Sequence, residues 1–417
     1  MHVIACQFWL DKDASLWSRP ARAKGDLCIN PHILVAEFDA CCGRKHDGNL
    51  APHRDMHPVL EPFTFHRGGL TVKNRTVLAA MTNKQSHEDG RVSKDEIKWL
   101  EARAIGQFGI VCTAATHVQA DGQGWEGEFG VWSDQFLPGL TDLASSISTQ
   151  GARAVAQLFH GGLRAPSSLT GVQPKSASIN VNEANGEEAR EMTSDEVEAC
   201  VRSFAEAAKR CQKAGFHGVE LHGAHGYLIS QFLGKGTNRR NDAWGGSPHK
   251  RQTFLEHIVR DIRRHTGSDF LVGVRLSPVL ESIDLSLEDA LYTLEACTGM
   301  ELDFIHVSCW DITKTATRDG VTKTYTEWFA DRLGDRLPLI TTGGIWDAKD
   351  AEDAVGQGAS FVGVARAGIA HPTWPQHLDG TSEPLKRPPF TPHELRGAGL
   401  NDTFVDYMRR WDGFVSQ

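Results

Sequence analysis

Eight short apolar runs, most of them rich in β-branched residues, alternate with longer segments of helical period between residues 70 and 370. One such run alone is compatible with a buried strand or a buried helix, but strict alternation is typical of repeated strand–helix units. No long strand–strand hairpin signal interrupts the order. The sequence therefore predicts an α/β protein built on a single (β/α)8 TIM barrel. The expected strands are Thr76–Ala80, Gly109–Ala115, Ala154–Phe159, Gly218–His222, Phe270–Leu276, Phe304–Ser308, Leu337–Thr342 and Phe361–Val364.

The first helical segments begin at recognisable capping signals. Ser93-Lys-Asp-Glu96 and Thr193-Ser-Asp-Glu196 indicate capping boxes, in which a hydroxyl and a carboxylate each accept a hydrogen bond from a free N–H group. Two long connections, Phe159–Thr193 and Gly234–Gly246, follow the third and fourth strands at the face where barrel enzymes place their chemistry. The expected helices are Ser93–Ile105, Asp134–Gln150, Thr193–Ala214, Pro248–His265, Leu287–Gly299, Thr326–Gly334, Ala348–Gly356 and Asp402–Asp412.

Residues 1–60 show no sustained periodicity and contain repeated prolines. We interpret them as an irregular N-terminal extension, followed by a barrel with a helical C-terminal tail over residues 61–417. Four of the nine cysteines lie in the first 42 residues, but no C-x2-C pair is present, so we predict no metal site. Because the extension has no face to bury, we expect a shortened chain that starts near His57 to keep its fold.

The composition restricts the class of partner and the compartment. The formal net charge of −9 disfavours nucleic acid, because neutralising phosphates requires a surplus of Lys and Arg. The cysteine number is odd and the spacing shows no disulfide framework, which favours reduced thiols in a cytoplasmic protein. The first residues meet a charge too early for a secretory signal, and apolar runs such as Phe361–Ala367 are far too short to cross a membrane.

The segment that leaves the fourth strand contains three side chains capable of acid–base or hydrogen-bond chemistry. His222, His225 and Tyr227 lie within six residues, where a strand end turns into a loop. Two imidazoles can donate hydrogen bonds to a carbonyl or phenolate oxygen, and a phenol can deliver a proton beside it. The alternative is a pair of satisfied loop histidines next to a core tyrosine.

Two polar residues are expected inside barrel strands. Gln157 lies near the end of the third strand, and Arg275 lies inside the otherwise apolar fifth strand. A buried arginine requires an anionic partner, because an unpaired buried charge is very costly. That partner is either a ligand or a carboxylate of the barrel, for which Glu220 is available.

Glycine and arginine follow the last two strands. Gly343 and Gly344 end strand seven, and Ala365 and Arg366 end strand eight. TIM barrels bind phosphate at these two strand ends, through backbone N–H groups and charge-assisted arginine contacts. A glycine pair alone would indicate only a turn, but both segments together predict a phosphate site.

These segments resemble the old yellow enzyme family, most closely its thermophilic-like single-domain branch. The resemblance extends from Leu70 to Trp374 and includes Leu70–Met81, Arg103–Gly109, His222-Gly-Ala-His-Gly-Tyr227 and Asn238–Ser247. It implies an FMN-dependent ene-reductase. In such an enzyme NADPH or NADH reduces FMN, which then reduces an activated alkene, either an α,β-unsaturated carbonyl or a nitro compound.

The resemblance also implies a role for individual residues. His222 and His225 would hold the substrate carbonyl oxygen, and Tyr227 would protonate Cα. Gln157 would bind the pyrimidine edge of the flavin, and Arg275 its N1/O2 region. The other implied flavin contacts are Ala80, Met81 and Thr82 after strand one, Ala114 or Ala115 after strand two, and Gly343, Gly344, Ala365 and Arg366 at the phosphate.

Two positions depart from this closest branch. Thr82 replaces a redox-tuning cysteine that many of its members have, so tuning of the flavin by a thiol is not expected. Lys84 replaces an active-site tyrosine, which alters the expected substrate contacts. The chain has no cysteine after Cys309, which favours the single-domain, FMN-only form over multidomain relatives with an iron–sulfur motif.

Two other interpretations are compatible with a flavin barrel. A dihydroorotate-type dehydrogenase would place a catalytic base in a Cys- or Ser-bearing loop, for which the sequence shows no candidate. A barrel that binds FMN or phosphate without catalysis would not require His222, His225 and Tyr227. The sequence leaves open the natural alkene, the preference between NADPH and NADH, and whether the chain forms a homo-oligomer.

Overall fold

The centre of the computed structural model, which describes residues 57–380 and 383–416, is a closed barrel of eight parallel strands. The strands follow one another around the barrel in chain order, and Val362 of the last strand pairs with Thr76 of the first. The predicted (β/α)8 TIM barrel is therefore confirmed. The strands are β1 (Thr76–Leu78), β2 (Ile110–His117), β3 (Arg153–Phe159), β4 (Gly218–Gly223), β5 (Leu271–Leu276), β6 (Phe304–Ser308), β7 (Leu339–Thr342) and β8 (Phe361–Val364).

The barrel strands are largely apolar because both of their faces are buried. Phe304 and Phe361, at the starts of β6 and β8, fill the N-terminal end of the barrel interior. Phe65 stacks on Phe361 with ring centroids 5.5 Å apart. It follows the short strand Phe63–Thr64, which pairs antiparallel with Thr71–Val72. The N-terminal end is thus packed with side chains, which leaves the C-terminal end for a site.

Helices surround the barrel, and one of the two predicted capping boxes is wrong. At Thr193 the box is present, because its hydroxyl accepts from the Glu196 N–H and the Glu196 carboxylate accepts from the Thr193 N–H. At Ser93 only the hydroxyl caps the helix. The carboxylate of Glu96 is buried and accepts instead from Asn83, at 2.7 Å. The helices around the barrel are Lys94–Ile105, Leu137–Ser148, Ser194–Ala214, Pro248–His265, Leu287–Thr298, Tyr325–Leu333, Ala348–Gly356 and Arg366–Ala370.

Several elements outside the barrel differ from the sequence predictions. A hairpin of Thr315–Arg318 and Val321–Thr324 follows β6, and apolar periodicity does not reveal it because its strands are exposed or half-buried. The predicted helix Asp402–Asp412 ends at Met408. The long connection after β3 contains a small sheet of three strands, Lys175–Ser176, Asn180–Asn182 and Glu187–Glu191. Short helices in the connections and tail are Ser167–Thr170, Leu228–Leu233, Pro392–Gly397 and Asp402–Met408.

A buried arginine fixes the C-terminal tail to the barrel. The Arg103 guanidinium donates, at 2.6 to 3.0 Å, to the carbonyl oxygens of Trp99, Gly368, Ile369 and Ala398. Trp99 also packs edge-on against Phe404 of the tail, with ring centroids 5.4 Å apart. Because a buried guanidinium needs all of its donors satisfied, these contacts hold the tail in one position.

Residues 57–60, which the sequence assigns to the extension, include a 3-10 turn at Pro58–Leu60 whose Val59 is buried in the core. The rest of the predicted extension, including its four cysteines, lies outside the described residues. The described cysteines are buried free thiols: Cys112, Cys200, Cys211, Cys297 and Cys309. Among the described residues, every helix is too short or too polar to span a bilayer.

Candidate active site

A cavity of about 430 Å³ opens at the C-terminal end of the barrel strands. Its volume is within the usual range for small-molecule and cofactor sites, and TIM barrels bind their ligands at this face. Nearly all of the residues that the sequence assigns to flavin, phosphate or substrate line this cavity. They are Ala80, Met81, Thr82, Gln157, His222, His225, Tyr227, Arg275, Gly343, Gly344, Ala365 and Arg366.

The cavity wall at β2 is formed by Ala115 and not by Ala114. The pairing of β2 with β3 shifts register between Cys112 and Ala115. Such a bulge adds a residue to one strand and redirects the side chains that follow it. Ala114 therefore packs in the hydrophobic core, while Ala115 faces the cavity. Apolar alternation does not reveal a bulge, which is why the sequence could not choose between the two alanines.

A tight turn at the end of β4 brings His222, His225 and Tyr227 together. His225 and Gly226 both have left-handed backbones, with φ of 60° and 79°. A histidine in this conformation is uncommon and is held there by its surroundings. The ring of His222 has its centroid 5.1 Å from that of His225 and 4.9 Å from that of Tyr227. The three polar groups therefore face one part of the cavity.

The hydrogen bonds of the two imidazoles indicate which nitrogens have protons. The Ala224 N–H donates to His222 Nδ1 at 3.4 Å, so the proton of neutral His222 lies on Nε2. The Ser308 hydroxyl accepts from Arg275 at 3.1 Å and lies 2.8 Å from His225 Nε2, to which it can donate. In the tautomer in which this hydroxyl donates, His225 has its proton on Nδ1. Each imidazole keeps one N–H for a ligand.

Both histidines are neutral and the tyrosine is protonated. Burial, followed by the positive charge of Arg275, lowers the pKa of His225 well below its usual range. Burial, followed by His225 and Arg275, does the same to the pKa of His222. Burial raises the pKa of Tyr227, although the positive charge of Arg164 opposes the shift. The site therefore presents two N–H donors and one O–H donor.

Arg275 is buried and forms no salt bridge within the described part of the chain. Its guanidinium donates to the Ala80 carbonyl oxygen at 2.9 Å and to Ser308 Oγ at 3.1 Å. Glu220, the barrel carboxylate proposed as an alternative partner, accepts from Gln157 and His306 instead. The Nε of Arg275 is buried without a hydrogen-bond partner among residues 57–380 and 383–416. A donor left in this way is costly, so a bound acceptor is needed to complete the site.

A chain of buried hydrogen bonds crosses the barrel beside the cavity. Gln157 Nε2 donates to Glu220 at 2.7 Å, and Glu220 accepts from His306 Nδ1 at 2.7 Å. The other nitrogen of His306 lies 2.7 Å from the hydroxyl of Thr342. Burial opposes ionisation of Glu220, but His306, then Arg275 and Gln157, outweigh it and lower its pKa. With its nitrogen bound to Glu220, Gln157 has its amide oxygen left as an acceptor.

The ends of β7 and β8 form a corner suited to a phosphate. Gly344 has φ of 68°, a conformation that favours glycine. A Cβ on Gly343 would lie only 2.7 Å from the backbone nitrogen of Asp311, so no other residue fits there without a shift. Arg366 lines the same corner and forms no salt bridge within the described residues. Backbone N–H groups and such a guanidinium can bind a phosphate together.

A model of the NADH:flavin oxidoreductase / NADH oxidase family matches residues 58–383. The chain belongs to this family. A probable NADH-dependent flavin oxidoreductase of Bacillus subtilis (strain 168), YqiG, is 39% identical over 323 residues, which cover 76% of this chain and 86% of that protein. The chain is thus a flavin oxidoreductase that uses a reduced nicotinamide cofactor.

Solved structures agree with this assignment. Morphinone reductase in complex with tetrahydroNAD is similar with a TM-score of 0.70 and 26% identity, covering 83% of this chain and 96% of that chain. An old yellow enzyme homologue from Zymomonas mobilis has the same fold, with a TM-score of 0.69, 24% identity and coverage of 79% and 94%. The resemblance to old yellow enzymes is confirmed, whereas placement in the thermophilic-like branch stays a prediction.

The family implies FMN as the cofactor of this oxidoreductase, and the residues present fit that group. Arg275 has a buried N–H without a partner, and Gln157 has an amide oxygen left to accept. These two groups match the acceptor and donor atoms of a flavin pyrimidine ring. The corner at Gly343, Gly344 and Arg366 can take the phosphate.

Sequence reasoning missed part of the wall of this flavin oxidoreductase site. The missed residues come from the connections after the strands and from the tail, and they are mainly aromatic or basic. The sequence alone does not place Arg164 and Arg410 in the site, because their position depends on how loop and tail fold over the barrel. The additional lining residues include Trp125, Arg164, Leu280, Ser308, Trp310, Trp346, Tyr407, Met408, Arg410 and Trp411.

The two predicted departures from the thermophilic-like branch lie in different places. Thr82 lines the cavity. Lys84 lies beside it, and its Nζ is 5.8 Å from the ring centroid of Tyr407, which does line the cavity. The tail therefore supplies a phenol ring to the wall next to the position where a tyrosine is replaced.

Proposed function

We propose that this flavin oxidoreductase is an FMN-dependent ene-reductase that acts on activated alkenes. The main support is that His222, His225 and Tyr227 converge in the cavity that also contains Arg275. Two N–H donors suit an oxygen that gains negative charge during reduction of an α,β-unsaturated carbonyl or nitro compound. The adjacent phenol suits protonation of a carbon.

FMN would lie across the ends of the barrel strands. Gln157 would accept from an N–H of its pyrimidine ring, and Arg275 would donate to the N1/O2 region, where negative charge collects on reduction. Gly343, Gly344 and Arg366 would hold the phosphate. The remaining contacts would come from Ala80, Met81, Thr82, Ala115 and Ala365.

The two histidines bind and polarise the substrate. When bound, FMN supplies the redox chemistry, accepting a hydride from NADPH or NADH and passing a hydride to Cβ of the alkene. The Nε2–H of His222 and the Nδ1–H of His225 would hold the substrate oxygen. These hydrogen bonds strengthen as enolate charge develops, so they stabilise the transition state more than the ground state.

Tyr227 provides the proton for Cα. Phe159 packs edge-on against its ring, with ring centroids 4.6 Å apart. The Arg164 guanidinium carbon lies over the face of the Tyr227 ring, 4.5 Å from its centroid. These two contacts fix the plane of the phenol beside His222. Because burial raises the pKa of Tyr227, the phenol keeps its proton until the substrate carbon accepts it.

Absorbance spectroscopy under anaerobic conditions tests the proposal. We expect yellow protein that bleaches on addition of NADPH or NADH and regains its colour on addition of 2-cyclohexenone. Protein that cannot be loaded with FMN would contradict the cofactor assignment. Reduced protein that oxygen reoxidises but no enone or nitroalkene does would contradict the ene-reductase assignment.

A further inference from the structure

In the described part of the chain, the charged side chains that line the cavity are all arginines. They are Arg164, Arg275, Arg366 and Arg410, and no aspartate, glutamate or lysine lies among the lining residues. The proposed function uses Arg275 for the flavin ring and Arg366 for the phosphate. Arg164 and Arg410 remain, and neither forms a salt bridge within the described residues.

Arg164 is held against the proton donor. Its Nη1 donates to the carbonyl oxygen of His225 at 2.7 Å, and its guanidinium carbon lies 4.5 Å from the ring centroid of Tyr227. These contacts use one of its five N–H donors and one face of its plane. The other donors remain for a ligand that lies beside Tyr227.

Arg410 reaches the same cavity from the C-terminal tail. Its Nη1 donates to the Tyr407 hydroxyl at 3.2 Å, and its guanidinium lies 5.1 Å from the ring centroids of both Tyr407 and Trp411. The tail is in turn fixed by the hydrogen bond of Arg103 to Ala398 at 2.8 Å. The contacts of Arg410 with Tyr407 and Trp411 thus hold its side chain in the cavity wall.

Arg409, the neighbour of Arg410 in sequence, has a different environment. Arg409 lies 3.4 Å from Asp406, donates to the Ser416 carbonyl oxygen at 3.2 Å, and does not line the cavity. Of these two adjacent arginines, Arg409 has a carboxylate partner and lies outside the cavity, whereas Arg410 lines the cavity and has no such partner among the described residues.

Both guanidiniums line the cavity that also contains Tyr227. Burial raises the pKa of Tyr227, whereas the charges of Arg164 and Arg410 oppose that rise. Both side chains are exposed to the open cavity, and neither has a carboxylate partner among the described residues. A carboxylate would accept charge-assisted hydrogen bonds from them.

We propose that Arg164 and Arg410 bind a carboxylate of the substrate, so that the preferred substrates are enones or enals with a carboxylate remote from the double bond. This inference rests on the proposed ene-reductase function. His222 and His225 would hold the carbonyl oxygen, and the two arginines would hold the other end of the molecule. The phosphates of the nicotinamide cofactor have similar chemistry, but a ribose separates them from the ring, whereas Arg164 lies directly on Tyr227.

A matched pair of substrates tests the proposal in the FMN-loaded enzyme. We would compare (E)-6-oxohept-4-enoate with its methyl ester, since they differ only in charge at the remote end. Reoxidation of the reduced flavin, followed by stopped flow, should be at least about tenfold more efficient with the acid, a preference of about 1.4 kcal/mol. Arg410→Gln, and Arg164→Gln separately, should reduce the acid-to-ester ratio toward one, while Arg409→Gln should keep it.

Binding of the saturated acid, 6-oxoheptanoate, gives a second measurement that does not depend on turnover. The shift of the flavin spectrum should yield a Kd that rises about tenfold in Arg410→Gln and is unchanged in Arg409→Gln. A wild-type enzyme that reduces both compounds without preferring the acid would overturn this inference alone. Variants that weaken NADPH or NADH binding while the acid-to-ester ratio stays high would assign the arginines to the cofactor phosphates and also overturn it. Failure of both compounds in an enzyme that 2-cyclohexenone reoxidises would overturn this inference alone, whereas failure of 2-cyclohexenone and nitroalkenes as well would overturn the proposed function and this inference with it.

Discussion

The amide nitrogen of Gln157 donates a 2.7 Å hydrogen bond to the carboxylate of Glu220. Glu220 is fully buried, and its second oxygen accepts from His306, so it cannot turn toward the cavity without losing a partner. The bond therefore determines which atom of Gln157 is left for a ligand. Glu220 does not line the cavity, but its hydrogen bond leaves the amide oxygen of Gln157, which does line the cavity, as an acceptor for a ligand.

Glu220→Ala should weaken FMN binding. Without the carboxylate, the amide of Gln157 can rotate and no longer presents its oxygen reliably. We expect the Kd for FMN, measured by fluorescence quenching, to rise by up to about tenfold, or about 1.4 kcal/mol, which is the upper end of the range for losing one neutral hydrogen bond. Glu96→Ala is the matched control, because it removes another buried carboxylate that lies outside the cavity. An equal loss of affinity in both variants would assign the effect to general instability.

Arg275→Ala should make the bound flavin harder to reduce. Its positive charge is buried and forms no salt bridge with the residues that the structure describes, so it is available to stabilise the anionic reduced ring. We expect the two-electron potential to fall by about 30 mV or more, which is about 1.4 kcal/mol. Arg275→Lys keeps a charge and should recover part of the loss. An unchanged potential at full FMN occupancy would refute this role.

Double replacement of His222 and His225 by alanine should weaken substrate binding and leave FMN bound. The two imidazoles face the cavity, while the flavin contacts come from other strands. We expect enones to lose affinity and phenols to lose their long-wavelength charge-transfer band. Wild-type affinity for phenols in this variant would show that the oxygen of the ligand binds elsewhere.

The barrel could be predicted closely because burial on both faces of each strand produces a repeated apolar signal. The bounds of Phe304–Ser308, Phe361–Val364, Pro248–His265 and Ala348–Gly356 agree with the sequence prediction to the residue. The exposed hairpin Thr315–Arg318 with Val321–Thr324 has no such signal, since neither strand is buried on a face.

In the candidate site, residues of one local segment could be predicted together, whereas residues brought in by tertiary contacts could not. His222, His225 and Tyr227 could be grouped from the sequence because one short turn fixes their spacing. Arg410 comes from the far end of the chain, and its place in the cavity depends on tertiary contacts such as that of Arg103 with the tail. Glu96 shows the same limit. The local sequence predicts that its carboxylate caps its own helix, but in the fold this carboxylate accepts from the buried Asn83 instead.

Glu96 should make the fold less stable as the pH rises. Burial raises the pKa of Glu96 from 4.5 to about 7, although hydrogen bonds from Asn83 and Ser86 oppose the shift. A raised pKa means that the folded state favours the protonated acid, so its stabilisation is complete below pH 4.5 and is lost as the pH rises through about 7. The difference amounts to about 3 kcal/mol at most.

Glu96→Gln cannot ionise and should abolish this part of the pH dependence. Urea unfolding of the wild type and the variant at about pH 5 and about pH 8 would measure it, with the difference between the two proteins as the readout. We expect the variant to gain relative stability at the higher pH. Parallel pH profiles would show that Glu96 titrates normally in the folded protein.

Tyr227→Phe should separate the two half-reactions. Flavin reduction by NADPH or NADH needs no proton from the phenol, so that step should stay near its wild-type rate. Reoxidation by an enone should slow by about 10²- to 10⁴-fold, the usual contribution of a positioned general acid. Nitroalkenes and quinones, which need little assistance from an acid, should be affected much less.

The phenol of Tyr227 has an alternative role as a packing group, since its ring contacts Phe159 and Arg164. Phenylalanine keeps the ring, so a packing role predicts little change, or a loss of stability that affects both half-reactions alike. Tyr407→Phe removes a second phenol from the same cavity, one that accepts from Arg410 and whose ring contacts Phe404 and Trp411. It should not reproduce a loss confined to reoxidation by enones. Stopped-flow traces of both steps on the two variants therefore distinguish proton transfer by Tyr227 from a general effect of losing a hydroxyl in the cavity.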